Sequence, residues 1–340
     1  MDTPYFNHST TSYNVSLFDY REDKTAIDFP IAFGTDQNFL LGCGIAITSI
    51  LIKNPNANIS FHIFTNKISI EDKNKFLVLA QQYKIFVAVY IIKPDLNKLP
   101  VTKNWTSAIY YRFIIFDYFI GKYEKVLYLD SDIVCENRVT DLMAMQMDNN
   151  IAAVVPDASE AWWLKKSKEL RCDAIRSGYF NSGVLLINIQ QWAVEDISRK
   201  AINMLTNKDI VSYISYPDQD VLNILLAGNI LFLDKKYNNQ LNLNHELKKN
   251  TPPLAVPEAV FIHYIGPTKP WHTWSSYTSI RPFLQAKKIS PWQYDELLNA
   301  KNATQSRYAA KHYHHQRKYI TACEYWFKYY FFKLKSFCYL

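Results

Sequence analysis

Short apolar segments alternate with segments of helical periodicity through the first third of the chain, and this alternation constrains the fold more than any other feature. Residues 29–33, 59–64 and 85–92 have the aromatic and β-branched composition of strands. Residues 39–52 and 70–83, which lie between them, have apolar side chains at helical spacing. The alternation predicts an α/β fold with a mainly parallel sheet covered by helices on both faces.

The chain as a whole has the composition of a folded protein without a membrane span. It has 340 residues, of which 49% are hydrophobic and 20% are charged, enough to bury a full core. The first residues lack the basic and apolar parts of a secretion signal, and the five cysteines are too scattered for a disulfide framework or a zinc cluster. We therefore expect a cytoplasmic protein. Residues 1–27 are polar and are expected to form a loose N-terminal arm.

The apolar residues 126–129 run directly into two carboxylates, Asp130 and Asp132, which are separated by Ser131. Ligands bind at the carboxyl ends of strands in open α/β sheets. Paired carboxylate oxygens suit Mg²⁺ or Mn²⁺, and such an ion commonly carries phosphate oxygens on its other coordination positions. The stretch therefore predicts a metal-dependent enzyme that acts on a phosphorylated substrate. Taken alone, it also fits an ordinary solvated turn.

Several further polar motifs follow predicted strands or begin predicted helices. They are Gly34-Thr35-Asp36-Gln-Asn38, Arg112 within the apolar segment 107–119, Asp157 after the strand 151–155, Asn181-Ser-Gly, Asp218-Gln219-Asp220 and His263-Tyr-Ile-Gly266-Pro-Thr-Lys269. Together with Asp130-Ser-Asp132, these motifs and their order resemble glycosyltransferase family 8 over residues 28–275. The resemblance implies a GT-A fold, which is a single Rossmann-like, mostly parallel mixed sheet with flanking helices. It also implies a retaining hexosyltransferase that uses a UDP-sugar.

The resemblance also implies roles for individual residues. Asp130, Asp132 and His263 would hold a divalent ion, Mg²⁺ or Mn²⁺, on the diphosphate of the donor. The residues implied in nucleotide-sugar binding are Gly34, Thr35, Asp36, Asn38, Arg112, Asp130, Ser131, Asn181, Asp218, Gln219, Gly266 and Lys269. Gln219, Asp218 and Asp157 are the implied catalytic residues, and the weak nucleophilicity of the Gln219 amide favours front-face substitution over double displacement.

Each of these residues also has a purely structural interpretation. His263 alone would fit a hydrogen-bonded core histidine, and Asp157 would fit a turn. Asp218 and Asp220 would fit the cap of a helix. For Asp220 we favour the structural role.

The C-terminal residues 276–340 differ in composition from the rest of the chain. Residues 301–340 contain eight Lys and Arg against one acidic residue, and aromatic residues are dense after Tyr319. This segment, which includes Arg307-Tyr-Ala-Ala-Lys-His312, resembles the extension of bacterial lipopolysaccharide core members of the family, most closely the 1,3-galactosyl- and 1,3-glucosyltransferases. We expect UDP-galactose or UDP-glucose as donor, a lipopolysaccharide core acceptor, and a helical extension at the anionic inner face of the cytoplasmic membrane. A helix packed on the body with solvated lysines is the alternative, and the neutral body gives no indication of nucleic-acid binding.

Two other functions compete with this interpretation. A phosphatase of the haloacid-dehalogenase type would use Asp130 as its phosphorylated residue, but that motif normally lies on the first strand of its domain. Here a long α/β segment precedes it. A non-enzymatic membrane-surface binding protein would account for the basic extension and would leave the polar residues at the strand ends unexplained.

Overall fold

The computed structural model describes residues 4–7, 11–100, 106–248 and 257–337. Its strands are β1 (Thr11–Asp19), β2 (Phe29–Thr35), β3 (Ile59–Thr65), β4 (Phe86–Pro94), β5 (Lys125–Leu129), β6 (Ile133–Cys135), β7 (Ala152–Pro156), β8 (Phe180–Asn188), β9 (Ile230–Phe232), β10 (Asn239–Gln240) and β11 (Phe261–His263). Its α-helices are α1 (Leu40–Lys53), α2 (Ile70–Tyr83), α3 (Tyr111–Phe119), α4 (Thr140–Ala144), α5 (Glu160–Glu169), α6 (Ile189–Val194), α7 (Ile197–Thr206), α8 (Lys208–Val211), α9 (Pro217–Leu226), α10 (Arg281–Lys288), α11 (Ala303–His315) and α12 (Tyr319–Phe337).

The large sheet has eight strands in the order β1-β4-β3-β2-β5-β8-β7-β9. The four strands β4, β3, β2 and β5 are mutually parallel and form its centre. Antiparallel pairing begins on both sides of this centre, between β1 and β4 and between β5 and β8. The sheet is therefore mixed with a parallel core, as the sequence predicts. Its buried apolar side chains form one cluster under α1 and α2 and another under α3, α7 and α9.

The predicted helices and strands agree closely with the structure where the periodicity is strong. Helix α2 spans the same residues 70–83 as predicted, because the Ser69 side chain accepts a hydrogen bond from the Asp72 backbone N–H and caps its first turn. The helix ends where Lys84 adopts a left-handed conformation, with φ 51°.

Residues 11–19 are not part of a loose arm, and this expectation is wrong. They form β1, an edge strand paired with β4 from Thr11 opposite Pro94 to Asp19 opposite Phe86. Much of the segment faces solvent: Ser12 and Asn14 are exposed, and even Leu17 is 62% exposed. An edge strand needs only one apolar face, so its composition resembles that of a loop. Residues 1–3 and 8–10 of the predicted arm lie outside the described residues.

A second, three-stranded sheet has the order β10-β11-β6 and positions the candidate site. Strand β6 begins directly after Asp132, and β11 pairs with it in antiparallel fashion so that His263 lies opposite Ile133. The Tyr264 backbone N–H donates to the Asp132 carbonyl at 2.9 Å. Backbone pairing thus brings a residue more than a hundred positions later to the aspartate turn.

The C-terminal extension is helical, as predicted, and packs on the body. Trp274, Ala310 and Tyr313 form an apolar cluster with Ala322 and Tyr325 of α12. Among the residues that the structure describes, no helix is both long and apolar enough to cross a membrane. Residues 338–340 of the predicted tail helix lie outside the described part.

Buried histidines should make the fold sensitive to acid. His62, in β3, contacts the Tyr90 hydroxyl at 3.0 Å and the Ser60 hydroxyl at 3.1 Å, and burial lowers the pKa of His62 to about 3. Burial likewise lowers the pKa of His272 to about 3 and the pKa of His312 to about 4. These rings stay neutral in the folded chain but gain a proton in the unfolded chain below pH ~6.5. Their stability contribution is therefore present above that pH and is lost as the pH falls.

We expect His62→Gln to make the stability less dependent on pH. Each such histidine should lower the free energy of unfolding by about 2 kcal/mol when the pH falls from ~7.5 to ~5. The variant should lack one of these three losses. Urea unfolding at the two pH values measures the difference. His314→Gln, at an exposed position, is the matched control and should keep the wild-type dependence. If His62→Gln loses as much unfolding free energy between the two pH values as the wild-type protein, His62 is not a source of the pH dependence.

Candidate active site

Three side chains from distant parts of the chain converge at the end of β5. The Asp130 backbone N–H donates to the Gly183 carbonyl at 2.9 Å, which extends the pairing of β5 with β8 into the turn. The His263 Nε2 atom lies 3.1 Å from Asp132 Oδ1 and 3.9 Å from Asp130 Oδ2. One ligand atom from each of the three residues lies within 4.8 Å of the others. The structure therefore brings together the three residues predicted to hold the metal.

The hydrogen bonding around His263 shows that this cluster fits a cation. His263 Nδ1 lies 2.9 Å from Asn238 Oδ1, which can only accept, so Nδ1 carries the proton of the neutral ring. The lone pair of Nε2 then points at Asp132 Oδ1, a buried atom that has no hydrogen-bond donor within the described residues. Two acceptors facing each other are unfavourable unless a cation lies between them. One imidazole and two carboxylates suit Mn²⁺ or Mg²⁺, and the Asn238 contact is the outer hydrogen bond that orients metal-binding histidines.

Because Gly183 has no side chain, it leaves room for His263 beside the two carboxylates. A Cβ atom at this position would lie 2.3 Å from His263 Cε1 and 3.0 Å from Asp130 Oδ2. A larger residue on β8 would therefore displace the imidazole from the carboxylates.

Lys269 contributes a positive charge at the edge of the cluster. Its Nζ atom donates to Asp132 Oδ2 and, at 2.9 Å, to the carbonyl of Tyr264. Burial by itself would raise the pKa of the Asp132 carboxyl, but the ammonium group of Lys269 against Oδ2 outweighs it and holds the pKa well below its usual range. The carboxylate is therefore ionised at neutral pH. Gly266, in the loop before Lys269, has a φ of 86°, a left-handed conformation that favours glycine.

Arg112 is buried beneath the cluster and joins four elements of the fold. One guanidinium nitrogen donates to the Ser182 carbonyl at 2.8 Å and pairs with Asp218 at 3.1 Å, and the other pairs with Asp130 at 3.2 Å. The guanidinium carbon lies 4.7 Å from the centre of the Tyr128 ring. Burial acts to lower the pKa of Arg112, but Tyr128, Asp218 and Asp130 raise it above its usual value. Arg112 thus orients Asp130 and the first turn of α9 together.

Gln219 and Asn181, which are predicted to contact the donor sugar, are connected by hydrogen bonds to His263. We call the group of Asp130, Asp132 and His263, which is a candidate metal site, the metal cluster. Gln219 Oε1 accepts from Asn181 Nδ2 and from the Ser182 backbone N–H, both at 3.1 Å. Asn181 Oδ1 in turn accepts from Asn238 Nδ2 at 2.9 Å, and Asn238 is the partner of His263. We call this series of hydrogen bonds, from Gln219 through Asn181 and Asn238 to His263, the amide chain.

Asp220 lies behind Gln219 and has a structural role, as we favoured. Its carboxylate accepts from the Tyr179 hydroxyl at 2.6 Å and from the Ser215 and Tyr216 backbone N–H groups at 2.7 and 2.9 Å. It thereby caps the start of α9 and leaves no free face toward the cluster. The Tyr179 hydroxyl also accepts from Gln219 Nε2 at 3.0 Å, which fixes the orientation of that amide.

Asp157 follows β7 and is half-buried. Burial raises the pKa of its carboxyl, and a hydrogen bond from Gln240 Nε2, 3.2 Å from Asp157 Oδ1, partly offsets the effect. Because Gln240 is the register partner of His263 in the small sheet, Asp157 lies on the same side of the molecule as the metal cluster.

Asp36 and Asn38 form the turn after β2. Asp36 is buried, and its two carboxylate oxygens accept from the Asn38 backbone N–H at 2.8 Å and from the Thr106 hydroxyl at 2.9 Å. The Asn38 side chain is exposed. Asn38 is therefore free to contact a ligand, whereas Asp36 already shapes the turn, and the predicted contacts of both with uridine and ribose stay predictions.

Gly34, Thr35 and Ser131 do not present side chains to the cluster. A Cβ atom on Gly34 would lie 3.0 Å from the Cβ atom of Tyr111. Thr35 and Ser131 are buried, and the Thr35 hydroxyl donates to the Asp36 carbonyl. A role for these three residues in nucleotide binding would therefore use backbone atoms and stays a prediction.

The sequence analysis did not single out Asn238, Gly183 or Gln240. Gly183 belongs to the Asn-Ser-Gly motif, so the motif itself was the signal that could have identified it. Asn238 and Gln240 belong to a short 3-10 turn and the two-residue strand β10, neither of which has a periodic pattern. Only the three-dimensional pairing of β10 with β11 places them beside His263.

The chain is similar to known proteins over nearly its whole length. Residues 30–275 match the family "Glycosyl transferase family 8", and residues 277–333 match "Glycosyl transferase family 8 C-terminal". The chain is 45% identical over 336 residues to lipopolysaccharide 1,3-galactosyltransferase of Salmonella typhimurium, covering 98% of this chain and 99% of that protein. It is 44% identical over 338 residues to lipopolysaccharide glucosyltransferase WaaO of Escherichia coli K12, covering 98% and 100%. A crystal structure of the galactosyltransferase LgtC shares the fold, with a TM-score of 0.67 and 22% identity over 77% of this chain and 96% of that one.

Proposed function

Because this chain belongs to glycosyltransferase family 8, we propose that it transfers a hexose from a UDP-sugar to the growing lipopolysaccharide core. The observation that carries the proposal is the convergence of Asp130, Asp132 and His263 into a cation site. Two relatives that are similar over nearly their full length are named for galactosyl and glucosyl transfer to lipopolysaccharide, which supports UDP-galactose or UDP-glucose as donor. We favour galactose. Membership of this family argues against the alternative that Asp130 is the phosphorylated residue of a phosphatase.

The residues of the cluster would bind a divalent ion and prepare the donor diphosphate. When bound by Asp130, Asp132 and His263, the ion supplies positive charge to the departing UDP. Lys269 adds a second positive charge on the same side, since its ammonium already lies against Asp132. Asn238 keeps the Nε2 lone pair of His263 available to the ion.

The surroundings of Gln219 favour front-face substitution. Its carbonyl oxygen already accepts from Asn181 and the Ser182 backbone, so it is a poor nucleophile for a double displacement. The acceptor hydroxyl would form the new bond to the anomeric carbon as the bond to UDP breaks on the same face, and its proton would pass to the leaving diphosphate. Asp218 and Asn181 would bind the donor hydroxyls, and Asp157 would lie near the acceptor. The anomeric configuration is then retained.

A donor screen tests the proposal. UDP-galactose and UDP-glucose are each incubated with lipid-free core oligosaccharides truncated at successive sugars, and the product configuration is determined by NMR. We expect transfer from one of the two donors to one core length, with retained configuration. Transfer from neither donor, or an inverted product, would contradict the proposal.

The exposed face of α12 supports the peripheral membrane association that the sequence predicts. Ile320, Phe327, Phe331 and Leu334 are 81%, 72%, 64% and 67% exposed, and their spacing of seven, four and three residues places them in one stripe. Three exposed lysines, at positions 328, 333 and 335, lie on either side of this stripe. An apolar stripe between basic residues suits a helix lying in the surface of an anionic membrane, here the inner face of the cytoplasmic membrane.

Charge reversal of these lysines should release the protein from membranes. Each lysine near an anionic surface contributes about 1 kcal/mol, and the glutamates add repulsion, so the triple variant K328E/K333E/K335E should bind phosphatidylglycerol vesicles at least about a hundredfold more weakly. Vesicle sedimentation measures the binding, and transfer to a soluble acceptor should not change.

The variant K24E/K67E/K235E is the matched control, since it alters the net charge equally at exposed lysines elsewhere. It should retain most of the vesicle binding. Equal sedimentation of the α12 variant and the wild-type protein would show that α12 does not contact the membrane.

A further inference from the structure

A groove of about 960 Å³ begins beside the metal cluster and follows the junction between the body and the C-terminal extension. Its inner end includes Gln240, the register partner of His263, and Ile265, two residues beyond that histidine. Its outer end includes Thr278 and Leu284 of the extension. This volume is at the top of the range of roughly 300–1,000 Å³ for small-molecule pockets, so the groove has room for more than a single accepting sugar.

The side chains that line the groove are mostly neutral hydrogen-bonding groups. Glu246 Oε1 accepts from the Ser279 hydroxyl at 2.7 Å, and its second carboxylate oxygen has no partner within the described residues. Tyr277 presents a half-buried aromatic ring, and Asn242 lies against Gly266 at the inner end. Acceptor oxygens beside an aromatic face suit a molecule rich in hydroxyl groups. The carboxylate of Glu246 disfavours a phosphate at this point, so a neutral saccharide fits best.

The walls of the groove are held in place by a second set of hydrogen bonds. The Tyr277 hydroxyl lies 2.6 Å from His312 Nδ1, and His312 Nε2 lies 2.9 Å from Asn244 Oδ1. Asn244 Oδ1 also accepts from the Thr268 hydroxyl at 2.7 Å, in the loop that carries Lys269. These contacts fix the extension relative to the catalytic loop, so the groove exists before a ligand binds.

We infer that this groove binds the acceptor oligosaccharide, and the inference rests on the proposed function. The accepting sugar lies at the Asp157 end, and the neutral hexoses that precede it in the core lie along the groove toward Leu284. Glu246 accepts hydrogen bonds from their hydroxyls, and the Tyr277 ring packs against a sugar face. The C-terminal extension thereby selects acceptors by their length, while the metal cluster binds the donor.

Blocking the groove tests this inference. Ser276 is exposed and lines the groove, so Ser276→Trp fills it from the outer wall with little effect on packing. The value of kcat/KM for the lipid-free core oligosaccharide should fall at least tenfold more than the value for the terminal disaccharide of the same core. The loss should lie mainly in the acceptor KM. Glu246→Ala should reduce the ratio of the two kcat/KM values, that of the core oligosaccharide divided by that of the disaccharide, by about tenfold, as expected for lost hydrogen bonds to a charged group.

Ser212→Trp, at an exposed serine that does not line the groove, is the matched control and should leave the ratio at the wild-type value. An equal loss on both acceptor lengths, or no loss on the longer one, would overturn the inference. Thermal unfolding of Ser276→Trp and Glu246→Ala shows whether each variant is folded.

Saturation-transfer NMR separates this inference from the proposed function. The core oligosaccharide is added to the protein without donor, so binding is measured in the absence of turnover. Binding by the wild-type protein that Ser276→Trp abolishes supports the groove, and equal binding by both proteins overturns it. A wild-type protein that transfers no sugar from either donor contradicts the proposed function itself, whatever the NMR result.

Discussion

Replacing Asp132 with asparagine should reduce sugar transfer by on the order of a thousandfold, because charge stabilisation of about 4 kcal/mol is lost at the leaving group. Asp132 is buried, and its Oδ1 atom faces the Nε2 lone pair of His263 at 3.1 Å. An amide keeps the shape of the carboxylate and removes its charge. The variant should also bind Mn²⁺ more weakly, and electron paramagnetic resonance measures this directly because free Mn²⁺ gives a distinct signal.

The control for this experiment is Asp209→Asn, at an exposed position on α8. It should preserve both the UDP release rate and the Mn²⁺ affinity of the wild-type protein. Because Asp132 also pairs with Lys269, thermal unfolding of the variant is needed to separate loss of the ion from loss of the fold. A folded Asp132→Asn protein with wild-type Mn²⁺ affinity would show that the cluster does not bind the metal.

The second large effect is expected from Arg112→Met, which should lower the free energy of unfolding by about 3–5 kcal/mol. Arg112 is buried, and its removal leaves the buried carboxylate of Asp218 without its cation. Asp130 and the Ser182 carbonyl also lose a partner. Methionine fills much of the same volume, so the cost is mainly electrostatic. Urea unfolding at neutral pH measures the change.

Arg138→Met is the matched control, since Arg138 is exposed, and it should change the unfolding free energy by less than about 0.5 kcal/mol. A fully stable Arg112→Met protein would mean that Asp218 and Asp130 are satisfied in another way. In a folded Arg112→Met protein, transfer should still fall, because nothing then fixes Asp130 relative to α9.

The sequence was sufficient to predict the elements and the acidic part of the site. The apolar run before Asp130 has the composition of a central strand, and β5 is indeed at the centre of the sheet. Residues 70–83 have apolar side chains at helical spacing, and α2 spans the same residues. In both cases the signal is local, since the pattern lies within the segment itself.

The remaining parts of the structure depend on contacts that no local pattern encodes. Strand β1 is mostly polar and becomes a strand only because β4 offers it an open edge. Strands β6 and β11 have three residues each, too few for a period to be visible. Asn238 has no motif around it, and its importance follows from its distance to His263. The metal cluster was predictable from the family resemblance, whereas the residues that orient it were not.

The amide chain between Gln219 and His263 has a consequence for how the cation and the donor affect each other's binding. Its members share their hydrogen bonds, so an ion that immobilises the imidazole would also immobilise the side chains that we propose to contact the donor hexose. The entropy of restraining these groups is then spent only once for two ligands. By thermodynamic linkage, the cation and the nucleotide sugar would each strengthen the binding of the other by the same factor.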